Sequence, residues 1–275
     1  MIKIPSFLII IFLLALLPVS TLFAQDEQTA KKRNLKLAFE FGGNEAGSKI
    51  AEHERIRKDN YSNNGTFGGR RHHSFSTTYF GVKPEFFVAN NRLGIASGLR
   101  FTVVTSEYFS GREKFLWKAE ENGLNTSYFK LENLRQKSHL VGVPIEVRFF
   151  LNNRELPFQF YLKAGASFNY RISYENSAEF VSKVMNRHKN LVESQLSEEE
   201  NAFSSFAYTS IGFKIGKFRE GSRMPWGNFE FTLPYFLLTN RSFAFAGNGI
   251  NDNPGIGVQL SLQFPIGKNA PIGSN

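Results

Sequence analysis

Residues 79–104 read YFGVKPEFFVANNRLGIASGLRFTVV, and this stretch decides how the rest of the chain is interpreted. Apolar side chains occupy every second position from Phe80 to Val88, while Lys83 and Glu85 lie between them. A period of two is typical of a β-strand with one apolar face. The first half of the stretch is therefore predicted to be a strand of this kind.

A very short connection leads to the next strand. Asn90 and Asn91 tolerate the positive φ angles that a tight hairpin turn requires. Beyond them the alternation resumes, with these residues on its apolar face: Leu93, Ile95, Leu99, Phe101 and Val103. The opposite face carries small and charged residues, as a narrow, crowded, polar interior needs. The apolar face is therefore predicted to contact lipid.

The same alternation recurs along the chain. Strands are predicted at residues 34–43, 79–88, 93–104, 139–151, 158–172, 206–216, 228–238 and 255–264. The connections between them alternate between long and short, and the long ones are 44–73, 106–137, 173–202 and 239–254. This order predicts an all-β fold, an eight-stranded antiparallel transmembrane up-and-down β-barrel with long extracellular loops and tight periplasmic turns.

Charged residues test this assignment independently, because the apolar residues alone define the outer faces. All the charges in the predicted strands fall on the inner face: Lys36, Glu40, Lys83, Glu85, Arg100, Glu146, Arg148, Lys163, Arg171, Lys214 and Glu230. A charge facing lipid at mid-bilayer costs about 2–4 kcal/mol, whereas a soluble lipocalin-like barrel would carry its charges outside. Each interior Glu is expected to pair with a Lys or Arg.

Bulky side chains are expected to fill the rest of the interior. An eight-stranded barrel is only wide enough for its own side chains. The inner-facing aromatic residues are Tyr79, Phe87, Phe150, Tyr161 and Tyr208. The interior is therefore predicted to be closed.

Three prolines lie inside predicted strands, at Pro84, Pro144 and Pro234. Proline lacks the N–H that a ladder needs, and a closed barrel has no free edge where that loss is harmless. A β-bulge is therefore expected at each, and the facing of the residues beyond it can change.

The third long loop shows a different period. Phe180, Val184, Leu191 and Gln195 recur at helical spacing, and Val181, Met185, His188 and Val192 lie beside them. Asn176 with Glu179 three residues later resembles a capping box. A short amphipathic helix that starts near Asn176 is predicted on this loop.

The termini predict export. Lys3 followed by the apolar run from Phe7 to Val19 is too short to span a bilayer and fits a signal peptide, residues 1–24. The further divisions are a periplasmic tail at 25–33, the barrel at 34–267 and a second periplasmic tail at 268–275. The chain has no cysteine, which excludes disulfides and an N-terminal lipid anchor.

No catalytic, cofactor-binding or metal-binding residues are predicted. His53, His72 and His73 with Glu52 or Glu54 match no metal-ligand spacing. Ser138 and His139 could supply two members of a catalytic triad near the membrane rim, but no carboxylate lies near them in sequence. The net charge of +9 does not indicate nucleic acid, because the charges of the three longest loops together cancel.

Several segments resemble the PorT-type outer-membrane β-barrel domains of Bacteroidetes. They are the signal end Ala24-Gln25, the Val82-Lys83-Pro84-Glu85 strand before an Asn-Asn hairpin, Ser97-Gly98-Leu99-Arg100, and the proline-containing run Leu140 to Phe149. The resemblance covers most of the chain after residue 24. It implies an eight-stranded outer-membrane barrel and supplies no catalytic residues.

The leading functional hypothesis is a non-enzymatic outer-membrane barrel whose loops bind at the cell surface or assist surface export or envelope organisation. The alternatives are an enzyme that modifies lipid A or phospholipid, and a small ion or solute pore. The expected partners are outer-membrane lipid and lipopolysaccharide, envelope or secretion proteins, and the barrel assembly machinery, which would read Phe264 as a terminal aromatic. No cofactor and no nucleic acid are expected, and the barrel is expected to be a monomer.

Overall fold

A computed structural model describes residues 35–48, 55–58, 71–88, 92–110, 115–121, 125–151, 157–196, 201–216, 225–239, 243 and 255–266. The strands are β1 (Leu35–Ser48), β2 (Ile56–Lys58), β3 (Arg71–Val88), β4 (Leu93–Ser97), β5 (Leu99–Ser110), β6 (Phe115–Glu121), β7 (Asn125–Phe150), β8 (Phe158–Phe180), β9 (Phe203–Ile215), β10 (Trp226–Leu237) and β11 (Gly255–Pro265). A 3-10 helix (Lys183–His188) continues into α1 (Lys189–Gln195).

Eight antiparallel segments close into a ring within the described residues. We call each segment a stave; seven of the staves are single strands, and the third consists of β4 and β5 in succession. In order around the ring they are β1, β3, the β4–β5 pair, β7, β8, β9, β10 and β11, and β11 pairs with β1. The predicted all-β barrel is confirmed. Outside the ring, β6 pairs with β7, and β2 pairs with β6.

The two faces of the wall have opposite chemistry, as the alternation predicts. Phe41 and Ile211 are 60% and 62% exposed on the outside, whereas Lys83 and Glu230 are fully buried inside. Apolar side chains on the outside of a closed barrel suit a hydrocarbon surround. We call this outer apolar surface the belt.

Only one of the three strand prolines produces a bulge. The ladders shift register between Thr232 and Tyr235, on both sides of β10, while Pro84 and Pro144 carry no shift. The bulges expected at Pro84 and Pro144 were therefore wrong. Alternation from the exposed Phe231 would turn Tyr235 toward lipid, but the facing changes beyond Pro234 and Tyr235 is buried inside the barrel.

Pro84 acts on its partner stave instead. The ladder between β3 and the third stave is interrupted opposite Pro84, and the third stave breaks there at Gly98. A Cβ at Gly98 would lie 2.8 Å from the Cα of Lys83. Glycine is therefore required at this close approach of two backbones.

The staves extend well beyond the predicted strands, so much of the predicted loops is sheet. The segment 106–137 contains the end of β5, all of β6 and the start of β7, and β8 continues to Phe180. The physical reason is an inverted pattern, because here apolar residues face a local core and polar residues face water. A register shift between Leu131 and Asn133 also breaks the alternation.

The extended strands form what we call the cap: β2, β6, residues 125–134 of β7, and residues 172–196, which comprise the end of β8 and the helical segment. Its core has these buried residues, with Tyr108 from β5 among them: Ile56, Tyr108, Phe115, Trp117, Ala119, Phe129, Leu131, Leu134, Ala178, Phe180, Val192 and Leu196. The cap lies at the end of the barrel opposite the one where β3 ends at Val88, β4 begins at Leu93, β7 ends at Phe150 and β8 begins at Phe158, and we call that opposite end the turn end.

The predicted helix exists, but it begins later and faces differently. Asn176 and Glu179 lie in β8, and Ser182 precedes the 3-10 helix without a side-chain cap. Val192 and Gln195 are buried as predicted, whereas Val184 is exposed. No helix in the described part of the chain is both long and apolar enough to cross a membrane.

Candidate functional site

Eight charged side chains meet at the centre of the barrel, and we call them the ion-pair layer. They are Glu40, Lys83, Glu85, Arg100, Glu146, Arg148, Lys163 and Glu230, all at most 4% exposed. They come from six different staves, since inner positions recur every second residue along each strand. Four cations face four carboxylates, so the formal charges of this layer balance.

Glu146 lies at the centre of one half of this layer. It accepts hydrogen bonds from Lys83 Nζ at 2.5 Å, Arg100 Nη2 at 2.8 Å and the Tyr208 hydroxyl at 2.6 Å. Arg100 also binds both oxygens of Glu40, at 2.7 and 2.9 Å. Ionised groups can lie in this interior because each is held by opposite charge and by hydrogen bonds.

Arg148 organises the other half. Its guanidinium bridges Glu85 at 2.8 Å and Glu230 at 2.7 Å. Glu230 also accepts a hydrogen bond from the Tyr161 hydroxyl at 2.8 Å and pairs with Lys163. The prediction that every interior Glu has a Lys or Arg partner is confirmed.

Glycines on the inner face provide the room for these large groups. A Cβ at Gly165 would lie 2.9 Å from Glu146 Cγ, 2.9 Å from the Tyr208 ring and 3.0 Å from the Ile145 carbonyl oxygen. A larger residue there would displace Glu146 or Tyr208. The small inner residues that the sequence shows thus have a packing role.

A second, apolar layer lies between the ion-pair layer and the cap, and we call it the aromatic layer. Its members are Phe75, Val104, Leu140, Phe206, Tyr208, Tyr235 and Phe243. Phe206 and Tyr235 stack with centroids 5.2 Å apart, and Phe243 packs on Phe75 at 5.5 Å. Sequence reasoning placed Tyr208 inside the barrel but did not predict this layer, because Tyr235 changes face at the Pro234 bulge and Phe243 lies in a predicted loop.

Toward the turn end, cations pack on aromatic rings. Lys214 Nζ lies 3.1 Å from the centroid of a Trp226 ring, and Lys36 contacts the same residue. Such cation–π contacts favour a charged ammonium group next to an aromatic face. The predicted inner residue Phe87 lies beside them, 6.2 Å from Trp226.

In the cap, Gln195 of α1 pairs with the edge of β6 beyond the residues that bind β2, as another strand would. Its Nε2 donates to the Glu120 carbonyl at 2.6 Å, and its Oε1 accepts from the Glu120 N–H and from Arg55 Nη1, both at 3.4 Å. Next to it, a hydrogen bond from Lys118 lowers the pKa of the Glu120 carboxyl, and the charges of Lys118 and Arg55 act in the same direction.

The other end of the cap sheet is tied to the same helix. Asn176 Nδ2 donates to the Glu193 carbonyl at 2.7 Å, and the Glu193 carboxylate accepts the Ala178 N–H at 3.1 Å. One helix therefore covers an edge of β6 and an edge of β8. Covered edges do not pair with foreign strands, and the cap is held as a single unit.

The candidate catalytic pair is not assembled. Ser138 is fully buried inside the barrel, whereas His139 faces outward with its ring 6.0 Å from that of Phe101. Adjacent strand residues point to opposite faces, so these two cannot form a Ser–His dyad.

The histidine and glutamate side chains considered as metal ligands in the sequence lie outside the described parts of the structure. The positions of Glu52, His53 and Glu54, and the side chains of His72 and His73, are not among the described parts of the chain. Among the described residues, no group of three or more His, Cys, Asp or Glu could hold a metal ion.

One known family of proteins matches most of this chain. The model of the family described as "Outer membrane protein beta-barrel domain" matches residues 23–235. The chain is similar to OprG of Pseudomonas aeruginosa, with 13% identity, a TM-score of 0.34, and coverage of 88% of this chain and 100% of that one. It is also similar to outer membrane protein W of E. coli, with 12% identity, a TM-score of 0.30, and coverage of 86% and 100%. No curated protein matches.

Proposed function

We propose a surface-binding role for this chain, which belongs to the outer membrane protein beta-barrel domain family and is located in the outer membrane. In this proposal the barrel is a sealed, non-enzymatic scaffold, and the cap is the part that binds. The observation that carries the proposal is the cap's own hydrophobic core, which goes beyond what a membrane anchor needs. Pre-formed surfaces on rigid scaffolds commonly carry function.

The two interior layers favour binding over transport. The ion-pair layer is almost fully buried, and the aromatic layer closes the same lumen toward the cap. A pore needs a continuous water-filled path, which an eight-stranded barrel filled by its own side chains does not provide. A steady current is therefore not expected.

The geometry of the rim disfavours catalysis. Acyl transfer requires a nucleophile and a base within hydrogen-bond reach of each other. Ser138 and His139 lie on opposite faces of β7, which removes the one dyad that the sequence offered. We therefore propose that the protein is not an enzyme.

The finer assignments are proposals as well. We propose that residues 1–24 are a signal peptide, that the cap is extracellular, and that the turn end and both tails, 25–33 and 268–275, are periplasmic. Within the family, the chain is proposed to be of the PorT type of Bacteroidetes. Lipid and lipopolysaccharide would surround the belt, the barrel assembly machinery would insert the chain, and envelope or secretion proteins would meet the cap. A self-closed ring favours a monomer.

Planar-bilayer recording tests the sealed scaffold. The purified protein, shown to be folded by a change of electrophoretic mobility on heating, should insert without steady conductance. A stable conductance in the wild-type protein would contradict sealing and place the pore alternative first. Mass spectrometry of lipid A and phospholipid, with and without the gene, tests the enzyme alternative, for which no change is expected.

A further inference from the structure

The cap exposes six large apolar side chains, and two of them, Ile172 and Tyr174, lie beside His139, where the belt ends. The other four are exposed although no belt lipid is near them. Tyr128 is 55% exposed, Val181 43%, Val184 70% and Met185 37%. We call them the tip. Exposed apolar groups in the belt are explained by lipid, whereas a cluster in water marks an interaction surface.

The tip residues lie at one end of the cap. Val181 N–H donates to the Lys130 carbonyl at 3.2 Å, and Tyr128 is two residues from Lys130 on the same outward face of β7. Val184 and Met185 follow in the 3-10 helix. The ring of His188 lies 4.7 Å from that of Phe129, which fixes the helix to the start of β7.

The tip is remote from the membrane. On β7 the belt ends at His139, because the next outward residues are Lys137 and Arg135. Lys130 lies nine residues beyond His139 along the strand. At about 3.3 Å per residue and a tilt of about 40°, the tip stands roughly 20 Å above the belt. Lipid tails therefore do not cover it.

Basic residues flank Val184 and Met185 in the helical segment, while the exposed Glu179 lies two residues before Val181. From Phe180 to Val192 the chain carries Lys183, Arg187 and Lys189 and no acidic residue. The next carboxylate, Glu193, accepts the Ala178 N–H and lies 3.6 Å from Lys189. A complementary surface would place carboxylates around apolar side chains.

We propose that the tip is a docking surface for an acidic protein partner whose contact face carries apolar side chains within a rim of carboxylates. This inference rests on the proposed function and names its surface and the chemistry of its partner. A protein fits better than the sugar layer of lipopolysaccharide, because sugars and phosphates could pair with the cations but would leave Val184 and Met185 without apolar contacts.

The cap also holds the tip in place before binding. Gln195 and Glu193 tie the helical segment to the edges of β6 and β8. Val192 and Leu196 are buried in the cap core. A pre-ordered surface loses less conformational entropy on binding than a free loop would.

Site-specific photocross-linking in the producing cells tests the proposal. A photoreactive amino acid replaces Val184 in the full chain, and a matched control replaces Ser173, which is exposed at the base of the cap. The expected result is a protease-sensitive adduct at Val184 that is absent at Ser173. Lys183→Glu with Arg187→Glu should lower the adduct yield about tenfold, whereas Lys183→Arg with Arg187→Lys should keep it. Unchanged electrophoretic mobility with and without heating confirms that each variant is folded.

Every other outcome overturns the proposal, and the outcomes separate it from the surface-binding role. A protease-resistant adduct that stains as lipopolysaccharide identifies a glycolipid as the occupant, and an adduct of twice the chain mass identifies a second copy. A protein adduct that ignores the charge reversals refutes an acidic partner. An adduct at Ser173 alone leaves the surface-binding role and removes the tip. No adduct at either position contradicts both.

Discussion

Glu146 shows how much one residue can control in this interior. Lys83, Arg100 and Tyr208 all donate to its carboxylate, and Lys163 lies 3.7 Å away. The residue type and its inward direction were predictable from alternation on β7. Its partners were not, because pairing across a barrel depends on the stagger between staves, which a single strand's pattern does not specify.

Glu146→Gln should destabilise the folded barrel by about 3–5 kcal/mol, because it leaves four buried cations facing three carboxylates. The urea midpoint of unfolding in detergent, followed by heat-modifiable mobility, measures the effect. Arg135→Gln is the matched control, since it breaks the partly exposed pair with Glu107 at 2.9 Å and should cost at most about 1 kcal/mol. Equal midpoints for the two variants would show that the ion-pair layer adds little stability.

Gly165→Ala should destabilise the barrel by about 1–3 kcal/mol, because its new methyl group would meet Glu146, Tyr208 and the Ile145 carbonyl. Gly227→Ala is the control, since a Cβ there meets nothing within 4 Å. Both positions lie in strands of the same barrel, so the same urea titration separates crowding from any general effect of alanine. A Gly227→Ala loss as large as that of Gly165→Ala would rule out the crowding explanation.

Among the strands, the alternation of apolar and polar residues predicts the structure where the outer face meets lipid, and it does not predict the structure where the outer face meets water. Along the belt, lipid outside and charge inside give one alternation along each stave, with a change of facing beyond Pro234 in β10, and the predicted staves are confirmed there. In the cap, β6 and the first part of β7 bury Phe115, Trp117 and Leu131 and turn polar residues to water. With the polarity inverted and the register shifted after Leu131, this sheet was predicted as loop.

The helix illustrates a second limit. Its period was visible, but the residues expected to begin it, Asn176 and Glu179, belong to β8, and Asn176 binds the far end of α1 through Glu193. A capping pattern is read from local sequence alone. In the structure Asn176 lies in β8, where its side chain binds a carbonyl of α1 and does not cap a helix start. The aromatic layer was not predicted for a related reason. The sequence predicts a bulge at Pro234, but it does not specify which face Tyr235 occupies beyond that bulge.

Gln195→Ala should loosen the cap without unfolding the barrel, because it removes the side chain that pairs with the Glu120 backbone. Limited trypsin digestion should then cut after Lys118 and Lys130, which the wild-type strands β6 and β7 protect. The electrophoretic mobility of the barrel, measured with and without heating, should equal that of the wild type. Ser194→Ala, at an exposed neighbour whose hydroxyl donates only within the helix, should digest like the wild type. Cleavage of the wild type at the same sites would contradict a folded cap.

In the molecule as a whole, the barrel is closed around its circumference and its interior is occupied by side chains. The ring joins β11 to β1, so in the described part of the chain the belt presents no free strand edge, and two interior layers occupy the lumen. The cap sheet does not close on itself and is covered by α1 instead. The barrel therefore supplies the stability and the cap supplies the exposed surface. The side of the membrane on which the cap lies determines what the cap can bind.

Cysteine labelling should place the cap outside the cell, and the absence of natural cysteine makes the chain suited to it. Thr126→Cys on the cap should react with a membrane-impermeant maleimide in intact cells. Arg92→Cys at the turn end should react only after the outer membrane is permeabilised, because long connections lie outside and tight turns inside in barrels of this type. Leu260→Cys, on the belt, should stay unlabelled in both conditions, since lipid excludes the reagent. Labelling of position 92 in intact cells with protection of position 126 would reverse the topology, place the tip in the periplasm and require its acidic partner to be periplasmic.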